Sequence, residues 1–276
     1  MDLEVILVGC GNMGYAMLRG WLTSGKLRPE RVAVVEPNEE LRIRASELGV
    51  AAFSSAKRMQ LVETPQIIVL AVKPQVIRMV LADYVWLGNS LTTFVSVAAG
   101  TTIETFQQVL GRSTPVMRCM PNMPSAIGKG MIVTFASPQV TDGAYAGIIN
   151  LLSASGTVTS VQSEELMGAV TAVSGSGPAY VFYFIEALAA AGQSVGLPGE
   201  TAMLLAQQTV YGAASLVMDS ANEPSQLRDQ VTSPNGTTQA GLEQLMCDEG
   251  LTALLTKAIR AARDREIALG GQSGSG

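Results

Sequence analysis

The sequence predicts an α/β fold in which a mostly parallel sheet interleaved with helices gives way to an all-helical segment. Three observations carry this. Short β-rich runs alternate with helical stretches through the first half of the chain. A glycine-rich turn joins the first run to the first helix. After Ser163 no strand pattern remains.

Strands are expected at 5–9, 32–36, 67–72, 93–97, 116–120 and 131–135, with a short closing strand at 157–162. Helical patterns at 13–23, 39–48, 102–110 and 142–153 fall between most of them. Strands alternating with helices of this length make βαβ units and hence a Rossmann-type sheet. Beyond it, 164–173, 179–194, 200–218 and 251–268 read as helices rich in Ala, Leu and Gln, with a break at Gly196–Gly199. The expected division is therefore 1–162, a dinucleotide-binding domain, and 163–276, a helical substrate and dimerisation domain. Its Gly/Ser-rich end, 270–276, is expected to be a disordered tail.

Composition narrows the function classes. Hydrophobic residues make up 47% of the chain and charged ones 15%, ample for a core. With net charge −5 and 18 scattered basic residues, there is no stripe to track a phosphate backbone, which argues against nucleic acid. No apolar run is long enough to span a membrane, and the acidic N-terminus is unlike a signal peptide. Three cysteines, Cys10, Cys119 and Cys247, are too few and too scattered for a disulfide framework or a zinc site, so a cytoplasmic address and no metal are expected. Histidine is absent altogether, so any chemistry must proceed without imidazole.

The glycine turn reads Gly9-Cys10-Gly11-Asn12-Met13-Gly14, the G-x-G-x-x-G spacing between strand and helix. The first glycine permits the tight turn, the second lets a pyrophosphate approach the backbone, and the third lets helix pack on strand. The helix N-terminus then presents free N–H groups to the phosphates. A second strand ends in Glu36, the expected ligand of the adenosine ribose diol; the bland alternative is a solvated carboxylate at a strand end. Glu39 and Glu40 follow, and no basic residue occurs until Arg42, so charge leans weakly toward NADH over NADPH.

Five further segments carry a resemblance. They are 71–75 (AVKPQ), 96–101 (SVAAGT), 118–124 (RCMPNMP), 174–180 (SGSGPAY) and 231–242 (VTSPNGTTQAGL). Together and in this order they resemble the pyrroline-5-carboxylate reductase family over nearly the whole chain. Asn235 stands where a glycine is expected, a departure that a left-handed backbone at Asn would absorb. The resemblance implies reduction of 1-pyrroline-5-carboxylate to L-proline by NAD(P)H. It implies that the glycine loop, Ala71, Val72, Lys73, Pro74, Val97, Ala98 and Ala99 line the cofactor. It also implies that Glu164, the 174–178 segment with Ser176, and the 233–238 turn surround the substrate. Lys73 could equally be a solvated lysine before a proline, and 174–178 a linker between helices.

The residues themselves suit such a reaction. A protonated cyclic imine is already electrophilic, so the protein has to position it and exclude water, and needs no strong acid. Thr238 is the candidate catalytic hydroxyl, bonding the ring nitrogen. Ser233, Gly236 and Thr237 open a helix whose free N–H groups can hold a carboxylate, although Ser233 and Thr237 could instead cap that helix. A β-hydroxyacid dehydrogenase, of similar build, would use a lysine in its second domain; none occurs between Lys129 and Lys257. The later helices carry few charges, 179–191 only Glu186, so a homodimer through this segment is expected, with rings of dimers as a larger form.

Overall fold

A computed structural model describes residues 3–59, 61 and 63–272. The strands are β1 Val5–Val8, β2 Val32–Val35, β3 Ala51–Phe53, β4 Ile67–Leu70, β5 Thr93–Ser96, β6 Val116–Met120, β7 Gly130–Ala136 and β8 Gly156–Ser160. Between them lie α1 Asn12–Thr23, α2 Glu39–Ser46, α3 Ile77–Ala82, α4 Ile103–Leu110 and α5 Asp142–Leu152. One sheet runs β3-β2-β1-β4-β5-β6-β7-β8. β1 to β6 are parallel, β7 is antiparallel to β6, and β8 is parallel to β7. The mostly parallel sheet expected from the alternation is present.

Burial explains why the central strands read as unbroken apolar runs. Every residue of β1, β2, β4 and β5 is buried, because helices cover both faces of a parallel sheet. Val5 and Leu7 pack on one face with Trp21 and Val34. Ile6 and Val8 pack on the other with Ile68, Phe94 and Phe106. The chain leaves β1 toward β2 and β3, then returns to β4 on the other side. Such a reversal opens a crevice beyond the carboxyl ends of β1 and β4.

Beyond β8 the chain is helical. A 3₁₀ turn at Glu164–Leu166 leads into α6 Met167–Val170 and a π turn at Thr171–Gly175. Then come α7 Gly177–Ser194, α8 Gly199–Asp219, α9 Pro224–Gln230, α10 Thr237–Leu245 and α11 Leu251–Gln272. Strands do end near 162. The compact units, however, are Met1–Ser176 with Ala262–Gly276, and Gly177–Ala261. The first unit runs past 162 and takes back the end of α11, which packs on the loop after β5. Residues 270–272, expected in a disordered tail, continue α11; 273–276 lie outside the described residues. The second unit has a small core of its own, Ala189, Ala202 and Ala206 with Ile185 and Met203, where α7 meets α8. Among the described residues no helix is long and apolar enough to cross a membrane.

Candidate active site

The glycine loop has the geometry its spacing promised. Gly9 adopts φ +89°, and a Cβ there would stand 2.5 Å from the Ala71 carbonyl oxygen, so the end of β1 touches the end of β4. A Cβ on Gly14 would stand 2.3 Å from the Gly9 carbonyl oxygen, so α1 can dock only through glycine. A Cβ on Gly11 would meet open space. Gly11 is also the N-cap of α1, with no side chain closing the cap. The first turn thus starts at a positive dipole end with no side-chain cap and open space beside Gly11, the condition under which backbone N–H groups can receive an anion.

Glu36 is buried, which removes the solvated-carboxylate reading. Its Oε2 accepts from Cys10 N–H at 2.7 Å and its Oε1 from Asn38 N–H at 2.9 Å. Each carboxylate oxygen retains a lone pair for a further donor such as a ribose hydroxyl. Arg42, on α2, turns back and donates Nη1 to the Glu36 and Pro37 carbonyl oxygens, both at 3.0 Å. Arg44 donates Nη2 to the Cys10 carbonyl oxygen at 2.9 Å and lies 4.1 Å above the Tyr15 ring. Two guanidinium groups therefore stand beside the acids counted from the sequence. Burial pushes the Cys10 thiol up to about 11, against the lowering pull of Arg44. A thiol held protonated in this way is no nucleophile at neutral pH.

A cavity of about 640 Å³ opens beside the loop, with Asn12, Met13, Ala99, Asn122, Gly175 and Ser176 among its walls. The fold thus brings Ser176, expected at the substrate, to the same hollow as Asn12, Met13 and Ala99, expected at the cofactor. Val97 N–H donates to the Leu70 carbonyl oxygen at 3.1 Å, and Ala98 N–H to Ser96 Oγ at 3.2 Å, which tie this loop to the strand ends. Ala71 and Val72 press on Gly9. Lys73 is exposed and precedes a 3₁₀ turn, Pro74–Val76.

The segment around Ser176 is neither the loop nor the linker considered from the sequence. α6 passes into α7 through the π turn, in which Ser176 N–H donates to the Thr171 carbonyl oxygen at 2.8 Å. A π turn inserts one residue into the helical spiral and re-aims the helix after it. Asn122 holds it from the strand side: Nδ2 donates to the Ser174 carbonyl oxygen at 3.2 Å, and Oδ1 accepts from Met131 N–H at 2.9 Å.

Glu164 lies outside the lining of this cavity. Its Oε1 accepts from Arg118 at 3.1 Å and from Ile103 N–H at 2.8 Å, so the carboxylate is committed to a guanidinium and to the start of α4. The remaining expected substrate residues belong to the second unit. There Asn235 adopts φ +58°, the left-handed backbone anticipated for it. Gly236 is the N-cap of α10 and no side chain closes the cap, so Ser233 and Thr237 do not serve as side-chain caps. Ser233, Thr237 and Thr238 are exposed. The first-turn N–H groups of α10 are thus left without a side-chain cap, the condition under which a helix start can receive an anion. Arg42, Arg44 and Asn122 were not singled out from the sequence. Asn122 lies inside the 118–124 motif, and the two arginines carried no signal beyond their charge.

Residues 164–269 match the family model described as pyrroline-5-carboxylate reductase dimerisation, and residues 4–100 the one described as NADP oxidoreductase coenzyme F420-dependent. The chain is 35% identical over 272 residues to a pyrroline-5-carboxylate reductase of Pseudomonas aeruginosa, covering 98% of each. It is 36% identical over 268 residues to one of Arabidopsis thaliana, covering 96% of each. A solved pyrroline-5-carboxylate reductase from Coxiella burnetii superposes with TM-score 0.90 at 33% identity, over 98% of this chain and 99% of that one. The Plasmodium falciparum pyrroline carboxylate reductase, solved with NADP bound, gives 0.83 at 28% identity over 98% of both. Identity above 30% across nearly the full length of its relatives means that the chain belongs to the pyrroline-5-carboxylate reductase family.

Proposed function

We propose that the chain reduces 1-pyrroline-5-carboxylate to L-proline, the last step of proline biosynthesis. The observation that carries this reading is the end-to-end likeness to reductases named for that substrate. When bound, a reduced nicotinamide dinucleotide supplies the hydride that turns the ring C=N into CH–NH. The chain's own groups do the rest. The Gly9–Gly14 backbone receives the pyrophosphate, and Glu36 the ribose diol. Val97–Ala99 and Ala71–Pro74 form the walls. In the helical part, the N–H groups of Gly236 and Thr237, with Ser233, hold the substrate carboxylate. The Thr238 hydroxyl hydrogen-bonds the ring nitrogen and keeps its proton in place. Ser176 closes the cavity above the nucleotide loop.

Both NADH and NADPH serve in this reading. The lean toward NADH rested on Glu36 with Glu39 and Glu40. The Glu36 oxygens already accept two N–H bonds, and Arg42 stands beside them to meet a 2′-phosphate. The division into a nucleotide domain, 1–162, and a substrate and dimerisation domain, 163–276, is kept as the functional one. The working assembly is a homodimer in the cytoplasm, the unit from which a ring of dimers would be built. Its support is the thin core of the second unit together with the apolar side chains left outside it, among them Phe182, Tyr183 and Leu204.

The test is direct. Purified protein is mixed with 1-pyrroline-5-carboxylate and either cofactor, and loss of reduced-nicotinamide absorbance is followed with proline as product. No absorbance loss with either cofactor, or oxidation without proline, overturns the reading.

A further inference from the structure

The loop between β5 and α4 is tied down by an ion cluster built around a buried arginine. Arg118, on β6, has a side chain only 6% exposed. It donates Nη1 to Glu164 Oε1 at 3.1 Å and Nη2 to Glu266 Oε1 at 3.3 Å. Each carboxylate oxygen also takes a backbone N–H from that loop. Glu266 Oε1 accepts from Gly100 N–H at 3.0 Å, and Glu164 Oε1 from Ile103 N–H at 2.8 Å. The two acids thus grip the loop at either side of Thr101 and Thr102, and the guanidinium holds the acids together.

Shape reinforces the grip. Gly100 adopts φ +70°, and a Cβ on it would stand 3.1 Å from Gly270 N. A Cβ on Gly270 would stand 2.6 Å from the Gly100 carbonyl oxygen. The end of α11 therefore lies backbone to backbone on this loop. That contact is why Ala262–Gly276 belongs to the first unit. A buried ion pair is weak support for stability, because desolvation offsets most of its attraction; its best-attested use is to fix register. Here what it registers is the residue after Ala99, and Ala99 lines the nucleotide cavity.

We propose that Glu266 is a positioning residue for the cofactor: from the C-terminal helix, through Gly100, it sets the place of the Val97–Ala99 wall. The proposal rests on the reading of that wall as part of the nicotinamide site. Ahead of Ala99, hydrogen bonds from Val97 N–H to the Leu70 carbonyl oxygen and from Ala98 N–H to Ser96 Oγ fix the loop. Behind it, the Gly100 N–H bond to Glu266 is the nearest tie. Without it, the grip behind Ala99 passes to the Ile103 N–H bond with Glu164, farther along the loop.

The test compares wild type, Glu266→Gln and Glu266→Ala, reading melting temperature and the dissociation constants of NADPH and NADH by fluorescence. Both variants lose the ion pair to Arg118, so both should melt lower. Glutamine retains an oxygen for Gly100 N–H and alanine does not. Cofactor dissociation constants should therefore rise about tenfold in Glu266→Ala and recover most of that loss in Glu266→Gln. Unchanged affinity in Glu266→Ala, or an equal loss in both variants, overturns the proposal and leaves Glu266 a structural residue only. If Glu266→Ala does not fold, Glu164→Ala, which frees Ile103 N–H at the other side of the loop, takes its place. It should weaken the cofactor by a smaller factor, and unchanged affinity there overturns the proposal likewise. Failure of wild type to bind either cofactor would instead overturn the functional reading beneath it.

Discussion

The Glu36 carboxylate accepts the Cys10 backbone N–H at 2.7 Å, joining the end of β2 to the glycine loop at the end of β1. A residue expected to hold a ligand is thus also a brace for the loop proposed to hold the rest of that ligand. Glu36→Gln should expose this double role. The amide nitrogen it introduces cannot accept from an N–H, so one buried charge-assisted bond is lost, worth about 1.5–3 kcal/mol. Titration with NADH and NADPH should show affinity for both falling by roughly ten- to a hundredfold. A loss confined to a twofold effect would mean that the loop holds its shape without Glu36.

Arg42 gives a separable effect. If its guanidinium meets a 2′-phosphate, Arg42→Ala should weaken NADPH by about tenfold and NADH by less than about twofold, since only one cofactor carries that phosphate. In wild type the two kcat/KM values should lie within a factor of ten, about 1.4 kcal/mol. Equal loss of both cofactors in the variant would assign Arg42 to holding the Glu36–Pro37 turn instead.

How much of this was legible in the sequence depended on distance along the chain. The glycine loop, β1 and β2 were readable because their signals are local: a spacing, an apolar run, an acid at a strand end. β3 was not. Ala51–Phe53 is three residues long and half-exposed, with no alternation, and exists because β2 offers it a partner. The short helices α3 and α9 lacked a periodic stripe for the same reason of length. At 174–178 the small residues read as a loop or linker after a helix ending at 173, yet tertiary packing draws 171–175 into a π turn against Met120. Arg118 lies 46 residues from Glu164 and 148 from Glu266, so nothing in one sequence could pair them. The resemblance placed Glu164 at the substrate, and its bond to the start of α4 is a contact that placement did not foresee.

The Cys10 thiol adds an alkaline signature. Burial raises it from an ordinary 9.0 to about 11, so the folded state holds this proton more tightly than the unfolded chain does. The resulting stability is fully present below pH 9 and is lost as pH rises toward 11. Cys10→Ala removes the thiol and with it this contribution, while Cys119, raised in the same direction, is common to both proteins. Melting temperature should therefore fall more steeply in wild type than in Cys10→Ala between pH 9 and 11, by an amount equivalent to at most about 3 kcal/mol. Parallel curves would mean that the site stays open enough for the thiolate to be solvated.

Phe182 tests the dimer. It is 49% exposed on α7, next to Tyr183 at 70%, in a unit whose own core is mostly alanine. Covering such a side chain is worth about 1.5–3 kcal/mol, and a two-fold interface counts it twice. Phe182→Glu should raise the dimer dissociation constant by at least about a hundredfold, read by light scattering across a dilution series. A wild-type chain that stays active and monomeric at all concentrations would contradict the assembly outright.

The role proposed for Thr238 is the part of the chemistry with the fewest alternatives. The chain has no histidine. Thr238 lies in the first turn of α10, is exposed, and is not needed to close the helix, since Gly236 caps it without any side chain. If its hydroxyl bonds the ring nitrogen as that nitrogen gains full amine character, Thr238→Ala forfeits a charge-assisted hydrogen bond of about 1.5–3 kcal/mol. The kcat/KM for the imine should fall by about one to two orders of magnitude. Cofactor affinity should hardly change, because the groups assigned to the nucleotide lie at the ends of β1, β2, β4 and β5. Melting temperature should also hold, because no cap bond is removed. A purely structural role would produce the opposite pair of results, near-normal turnover with a lower melting temperature. Thr238→Ser separates hydroxyl from shape: it keeps the oxygen and drops only the methyl, so it should recover most of the lost kcat/KM. A serine variant as slow as the alanine one would remove the hydroxyl from the mechanism and leave proton placement to Ser176 or to water.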